Sequence, residues 1–363
     1  MASDVEGHVS PCITVRGSPP STRNPRILGG VTSRESSSFW SDRPVLVTGG
    51  CGFIGSHLVE ALLDRGADVR VLGRYNSHSS WGHLTGLDDV WGDRLQVELG
   101  SVTDATFVRR VTDGVDTVFH LAALIGIPYS YAAAAHNVDV NIVGTLRVLE
   151  AAQASGVRRV VHTSTSECFG SAQYLPMDER HPLRAQSPYA ATKIGADQLA
   201  QSFHRSFGTP VVTLRPFNTF GPRQSRRAVV PTIISQLLSG PDVALGSLAP
   251  IRDLNPVANT VDAFLSAGSV PDLDGDLFVI GSGVGRSVGE VAEGIAEAMR
   301  APIRIHRDEA RVRPEDSEVD RLVCDYSHAA DRLGYEPTVT FAEGVAATVE
   351  YLSGLPARRD YAV

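Results

Sequence analysis

A chain of 363 residues, 42% hydrophobic and 20% charged, is long enough to bury a sizeable core as one large α/β domain or as two lobes. A formal net charge of -8 argues against general nucleic-acid binding and points to a small-molecule partner, while leaving room for a local cationic pocket. The four cysteines, Cys12, Cys51, Cys168 and Cys324, form no close pair of the metal or redox kind, no apolar run approaches the roughly 20 residues of a membrane span, and the first residues lack a secretory pattern, so the expectation is a reduced cytoplasmic protein with no metal, no nucleic acid and no membrane.

Residues 1–42 are rich in serine, proline and arginine without a sustained apolar period, and are expected to form a flexible tail. Structure is predicted to begin with the β-branched run Pro44-Val45-Leu46-Val47, followed by a glycine turn and a helix with Leu58, Val59, Leu62 and Leu63 on one face. Gly49, Gly52 and Gly55 permit a tight turn and close backbone approach to a pyrophosphate. The helix opening at Phe53 and Ile54 offers unpaired N–H groups to its phosphates. A second strand, Asp68 to Leu72, ends at Gly73-Arg74-Tyr75-Asn76-Ser77 with no acidic residue to accept from the ribose hydroxyls of NAD. Arg74, Asn76 and Ser77 suit a 2′-phosphate instead, which tilts the NAD(P) expectation toward NADP.

Further strands are predicted at Leu95–Leu99 and at Asp116–Leu121, where Ala122 and Ala123 are small enough for a dinucleotide to lie across the sheet edge. His120 reads as a packed core histidine. Val138 to Ala154 is predicted as a helix carrying Asn141. Strands alternating with helices in this rhythm imply a Rossmann-type, doubly wound parallel sheet. Val160 to Thr163 then runs into Ser164-Thr165-Ser166-Glu167, just past a strand's carboxyl end, where such sheets bind ligands.

A helix opening at Tyr189 places Lys193 one turn on, so an ammonium can sit beside a phenol. A neighbouring positive charge lowers a phenol's pKa from about 10, making Tyr189 a candidate base toward a sugar or alcohol hydroxyl. Thr165 is positioned to bond the same oxygen, and Glu167 to supply a carboxylate nearby, with Ser166 between them. After the strand Val211–Leu214 the spacing loosens, so residues 43–217 read as the dinucleotide-binding domain and 218–363 mainly as a smaller substrate-binding lobe, with some segments returning to the sheet. Asn218 opens that lobe, and Arg223, Arg252 and Arg313 are candidates to hold a substrate diphosphate.

Taken together, the glycine turn, Leu121-Ala122-Ala123, Asn141, Thr165 and the Tyr189/Lys193 pair resemble the extended short-chain dehydrogenase/reductases that act on nucleotide sugars. The likeness runs from about Pro44 to the last helix. The Thr165-Ser166-Glu167 turn resembles that of GDP-mannose 4,6-dehydratases and UDP-glucuronate decarboxylases; the dTDP-glucose enzymes carry Thr-Asp-Glu. Longer stretches, such as Ile127-Pro128-Tyr129-Ser130-Tyr131 and Arg313-Pro314-Glu315-Asp316, look most like N-acetylglucosamine-nucleotide 4,6-dehydratases. The resemblance implies a nucleotide-diphosphate sugar as substrate, NAD(P) as cofactor, cofactor contacts at Leu121, Ala122, Ala123, Asn141, Tyr189 and Lys193, and a homodimer through the Asn141 and Tyr189 helices.

Ser101 stands where the family has an aspartate contacting adenine. Asn259 and Asn255-Pro256 replace a usual aspartate and aromatic pair, which leads to the expectation of an altered substrate near Arg252 and Asp253. The implied reaction is oxidation at C4, loss of water across C5 and C6 with Glu167 as base, and return of the hydride to C6. A 4-epimerase and a decarboxylase share the first step, and a non-catalytic dinucleotide sensor is the reading from another class.

Overall fold

The computed structural model describes residues 38–78, 80–309 and 319–355. In chain order its strands are β1 (Pro44–Thr48), β2 (Asp68–Arg74), β3 (Leu95–Gly100), β4 (Thr117–His120), β5 (Arg159–Thr163), β6 (Val211–Pro216), β7 (Asn218–Phe220), β8 (Asp242–Leu245), β9 (Ile251–Pro256), β10 (Leu277–Ile280), β11 (Gly285–Ser287), β12 (Arg304–Arg307) and β13 (Arg321–Leu322). Seven of them form one sheet in the order β10-β6-β5-β4-β1-β2-β3. Every neighbouring pair in it is parallel, which makes the predicted doubly wound sheet the observed one.

Because a strand's side chains alternate between faces, the central strands feed two separate cores. Val45, Val47, Phe119 and Val161 pack on one side with Leu58 and Leu62 of the helix Phe53–Asp64 and with Phe264 of the helix Val257–Ser269. Leu46, Val118 and Val160 pack on the other with Val148 and Leu149 of the helix Gly144–Ser155 and with Phe203 of the helix Pro188–Phe207. β1 runs on to β2 and β3 in one direction and β4 runs on to β5 and β6 in the other. The reversal between β1 and β4 opens a crevice beyond their carboxyl ends, where α/β sheets of this kind take their ligands.

Residues beyond 218 build the small sheets β11-β9-β13, with β7 on β9, and β12-β8. These surround a cluster of their own that includes Phe220, Ile233, Ile234, Ile295 and Val345. The same stretch returns β10 to the edge of the large sheet.

One expectation needs correction at its boundary. Trp40, assigned to the tail, is fully buried, with its ring 5.7 Å from that of Phe119. A large aromatic ring repays ordering that the surrounding serines cannot, so the packed structure already includes Phe39 and Trp40; residues 1–37 lie outside the described residues.

Candidate active site

The glycine turn after β1 is shaped by how closely two strand ends approach. Gly49 has φ +73, and a Cβ there would lie 2.8 Å from the Ala122 nitrogen and 2.9 Å from its Cα. A Cβ on Gly55 would strike the carbonyl oxygen of Gly49. Gly52 caps the helix Phe53–Asp64 and has no side chain to accept from its first N–H groups, so the partial positive charge of the helix start at Phe53 and Ile54 is not met by a capping side chain. A cradle that side chains would fill, ending in open amides, fits a dinucleotide diphosphate. Beside it the Leu121 and Ala122 amides donate to the Thr48 carbonyl (3.1 Å) and hydroxyl (3.2 Å). Ala123 follows in the same segment. His120, bonded to Thr48 Oγ1 (2.8 Å) and Thr145 Oγ1 (2.9 Å), is the packed core histidine expected.

At the end of β2, Arg74 and Ser77 are exposed, but Asn76 is occupied. Its amide nitrogen donates to the carbonyls of Arg74 (3.3 Å) and Ser80 (2.8 Å), and its oxygen accepts from the amides of His78 (3.1 Å) and Ser80 (3.2 Å). Asparagine readily closes a turn on its own backbone. The expectation that Asn76 holds a 2′-phosphate therefore gives way to a loop-forming role. Ser101, in the place of the adenine-contacting aspartate, bonds Thr103 Oγ1 at 2.8 Å.

Past β5, the Thr165 hydroxyl accepts from the Glu167 amide (3.3 Å) and caps the single turn Ser166–Phe169. The same Thr165 side chain bonds the Tyr189 phenol, and Glu167 is near enough for its charge to act on that phenol. Ser166 is buried between them. Tyr189 is held by a well-started helix, with Pro188 in its first turn and the Ser187 hydroxyl accepting from the Ala190 amide at 3.1 Å.

The electrostatics differ from the expectation. Burial pushes the Tyr189 phenol above its ordinary value, the Thr165 bond opposes this, and the charges of Glu167 and Asp197 add to it. Lys193 does not offset the rise: its ammonium donates to the Thr163 carbonyl at 2.5 Å. Desolvation outweighs what the one-turn spacing offers, and the amine bonds the strand end. Burial also lowers the Lys193 pKa, with Asp197 opposing.

Asn141, which the resemblance makes a cofactor contact, serves here as a brace. It lies in a π-helical turn, Asp139–Val143, accepts from the Leu124 amide (2.7 Å), and donates to the Leu124 carbonyl (3.0 Å) and the Thr192 hydroxyl (3.0 Å). It thereby ties the segment after Ala123 to the Tyr189 helix.

On the substrate side, the Asn218 amide oxygen is buried with no hydrogen-bond partner among the described residues, an acceptor that a ligand hydroxyl or amide would satisfy. Arg223 is not free for a diphosphate. Its guanidinium pairs with Glu60 at 2.7 Å and donates to Ser56 Oγ at 3.2 Å, bolting the turn after β7 onto the glycine-turn helix. Arg252 is partly exposed on β9 and donates to the Ile251 carbonyl at 3.0 Å; Arg313 lies outside the described residues.

The two asparagine departures do not reshape a substrate pocket. Asn259 is buried, donates to and accepts from the backbone of Val339 at 2.9 Å and donates to Asn255 Oδ1 at 3.1 Å, and Asn255 donates to the Tyr335 hydroxyl at 3.1 Å. Asp253 accepts from the amides of Ser282 (2.8 Å), Gly283 (2.9 Å) and Cys324 (3.2 Å). All three side chains are spent on joining segments of the lobe.

Sequence reasoning missed Asp197. It lies one turn beyond Lys193 and accepts from Ser164, His162 and Arg215 directly behind the Thr165 turn. An acidic residue four positions after a buried lysine, on an otherwise apolar helix face, was the available signal.

Residues 46–348 match the family model for GDP-mannose 4,6 dehydratase. The chain belongs to the extended short-chain dehydrogenase/reductase family. Within it, the chain is 35% identical over 317 residues to a dTDP-glucose 4,6-dehydratase of Actinoplanes sp., covering 85% of this chain and 97% of that one. It is 34% identical over 314 residues to a UDP-glucose 4-epimerase of Mycolicibacterium smegmatis, covering 84% and 97%. Among solved structures it resembles DesIV, a dTDP-glucose 4,6-dehydratase from Streptomyces venezuelae solved with NAD bound, with a TM-score of 0.76, 33% identity and coverage of 85% and 97%. This family member therefore has both nucleotide-sugar dehydratases and nucleotide-sugar epimerases among its relatives. Among its described residues no helix is long and apolar enough to cross a membrane.

Proposed function

We propose that this chain is an NAD(P)-dependent 4,6-dehydratase of nucleotide-diphosphate sugars. The observation that carries the reading is the joint placement of Thr165 and Glu167: one bonds the Tyr189 phenol and the other acts on it by charge. An epimerase needs one acid-base group at O4. A dehydratase needs a second at C5 and C6, and Glu167 is that second group.

The glycine cradle of Gly49, Gly52 and Gly55 would hold NAD(P)+, which when bound would supply a hydride acceptor for C4 and a hydride donor for C6. Tyr189, hydrogen-bonded by Thr165, takes the proton of the C4 hydroxyl. Glu167 removes the C5 proton, which the 4-ketone makes acidic, and delivers a proton to the departing C6 hydroxyl. Ser166, in the place of an aspartate, is too weak an acid for that delivery. Lys193, anchored on the Thr163 carbonyl, keeps a cation at the strand end. A proton returned to C5 completes a 4-keto-6-deoxy sugar, with net loss of one water and no net redox change.

The cofactor reading is NAD(P), with NADP favoured by Arg74 in the absence of an acid at the end of β2. The relative solved with NAD supports the dinucleotide site. Asn218 serves as a substrate contact, supported by its unpartnered oxygen.

The test is incubation with nucleotide-linked glucose, N-acetylglucosamine, mannose and glucuronate, followed by mass spectrometry. Dehydration gives a product lighter by one water that absorbs in the ultraviolet in base. An isomer of unchanged mass establishes the epimerase, and loss of carbon dioxide the decarboxylase. Glu167→Gln is expected to lower dehydration by roughly 10²- to 10⁴-fold while reduced nicotinamide still forms; full dehydratase turnover in that variant overturns the role of Glu167.

A further inference from the structure

Tyr189, Lys193 and Asp197 stand one turn apart on the buried face of the Pro188–Phe207 helix. Asp197 is 1% exposed, and an unpaired carboxylate so far from water would be costly. It is fully partnered. Ser164 Oγ donates to it at 2.5 Å, an Arg215 Nη2 at 2.9 Å and His162 Nε2 at 3.0 Å. Arg215 Nε also donates to Ser164 Oγ at 3.2 Å, and the guanidinium lies 4.6 Å over the Phe169 ring.

These partners belong to the strands that deliver the site. His162 is in β5, Ser164 directly precedes Thr165, and Arg215 comes from β6. A single carboxylate thus joins the helix bearing Tyr189 and Lys193 to the strand end bearing Thr165 and the Thr163 carbonyl on which Lys193 rests.

We infer that Asp197 is a positioning residue of this site: it sets the spacing between the Tyr189 helix and the Thr165 turn, and it is the counter-charge that keeps Lys193 an ammonium out of contact with water. The inference rests on the dehydratase reading for its kinetic consequences and extends it to a residue that touches neither sugar nor cofactor.

The surrounding charges decide the sign of the effect. The phenol is faced by Glu167, Cys168 and Asp197 with Thr165 bonded to it; Lys193 is faced by Asp197 and Cys168. Asp197 itself is faced by His162, Arg215 and Lys193, with Ser164 and Cys168 alongside and His120 stacked behind His162. Its negative charge raises the pKa of both Tyr189 and Lys193. Removing that charge lowers both, and the Arg215 cation left behind acts in the same direction.

Asp197→Asn is therefore expected to lower kcat about tenfold or more, leave KM for the nucleotide sugar within about twofold, and move both limbs of the kcat–pH profile to lower pH by about half a unit or more. Asp197→Glu, which keeps the charge but not its place, is expected to lower kcat with both limbs unmoved. A purely structural role predicts loss of kcat in Asp197→Asn with limbs where they were, and that result overturns the inference. So does full kcat in both variants.

A substrate-free measurement separates this inference from the dehydratase reading. The tyrosinate absorbance assigned to Tyr189, by subtraction of the Tyr189→Phe protein, is expected at lower pH in Asp197→Asn than in the unsubstituted enzyme. If no nucleotide sugar is turned over the dehydratase reading fails, and this titration alone decides for or against Asp197. Should circular dichroism show Asp197→Asn unfolded, Arg215→Gln carries the test: it removes the cation that opposes Asp197, so both limbs are expected at higher pH, and unmoved limbs overturn the inference.

Discussion

Gly49 and Gly114 share a positive φ and differ in what surrounds them, which makes them a matched pair. Gly49 has φ +73 and Gly114 φ +72. Adding a Cβ in this left-handed region costs about 1–2 kcal/mol at either position, and the smaller entropy that alanine gives the unfolded chain is the same for both. At Gly114 a Cβ meets nothing within 4 Å, whereas at Gly49 it meets the Ala122 nitrogen at 2.8 Å and the Leu121 carbonyl carbon at 2.9 Å. Those are backbone atoms that cannot swing aside, so Gly49→Ala adds an overpacking cost of about 1–3 kcal/mol. For a chain of this length, with about 2.1 cal/mol/K of unfolding entropy per residue, that difference is roughly 1–4 °C in Tm. The assay is thermal unfolding of both variants with a fluorescence titration of NAD+ and NADP+. Gly49→Ala is expected to melt lower than Gly114→Ala and to bind dinucleotide more weakly, and Gly114→Ala to bind as the unsubstituted protein does. Two variants that melt together and bind alike would refute the close approach of β1 and β4 as the basis of the cradle.

Trp40→Ala is expected to cost about 3–5 kcal/mol, read by urea unfolding; a loss below about 1 kcal/mol would return Trp40 to the tail. Burial, and after it the Arg223 cation, holds His57 at about 3, below its ordinary 6.5, against the hydrogen bond to the Pro222 carbonyl. In that window the unfolded chain binds the proton and the folded chain does not, so the neutral imidazole's stabilisation is complete above about pH 6.5 and is lost as pH falls toward 3. His57→Gln removes this dependence, and its stability relative to the unsubstituted protein should rise steadily between pH 7 and pH 5; a constant difference contradicts the assignment. Arg74→Ala is expected to weaken NADP+ binding about tenfold, as loss of one charge-assisted bond implies, without affecting NAD+; equal weakening of both would take Arg74 away from the 2′-phosphate.

The sheet and the chemical turn were legible because their signals are local. A β-branched run, a glycine turn and an amphipathic helix within about twenty residues specify each other, and Thr165, Glu167 and Tyr189 meet because a strand end and the next helix deliver them. What escaped depended on distant partners. Arg223 is a plausible anion ligand until Glu60, 163 positions earlier, is found beside it. Asn255 and Asn259 read as marks of an altered substrate until Tyr335 and Val339 appear. Trp40 fell within the tail because the segment around it has no sustained apolar period, and the residues it packs on, Phe119 and Gly268, are far along the chain. The Tyr189–Lys193 spacing does put both side chains on the buried face of one helix, but spacing along a helix says nothing about desolvation, which raises the phenol.

The late return of the chain to the large sheet bears on how the protein is made. Phe264 and Phe278 belong to the same apolar cluster as Val45 and Leu58, so much of the flank laid down first stays wet until the strand near residue 278 leaves the ribosome. At about 5–20 residues per second that interval is roughly 10–50 s. For that time the nascent chain presents an unfinished greasy surface to the cell, and slower translation through the intervening stretch would lengthen its exposure to chaperones and to aggregation alike.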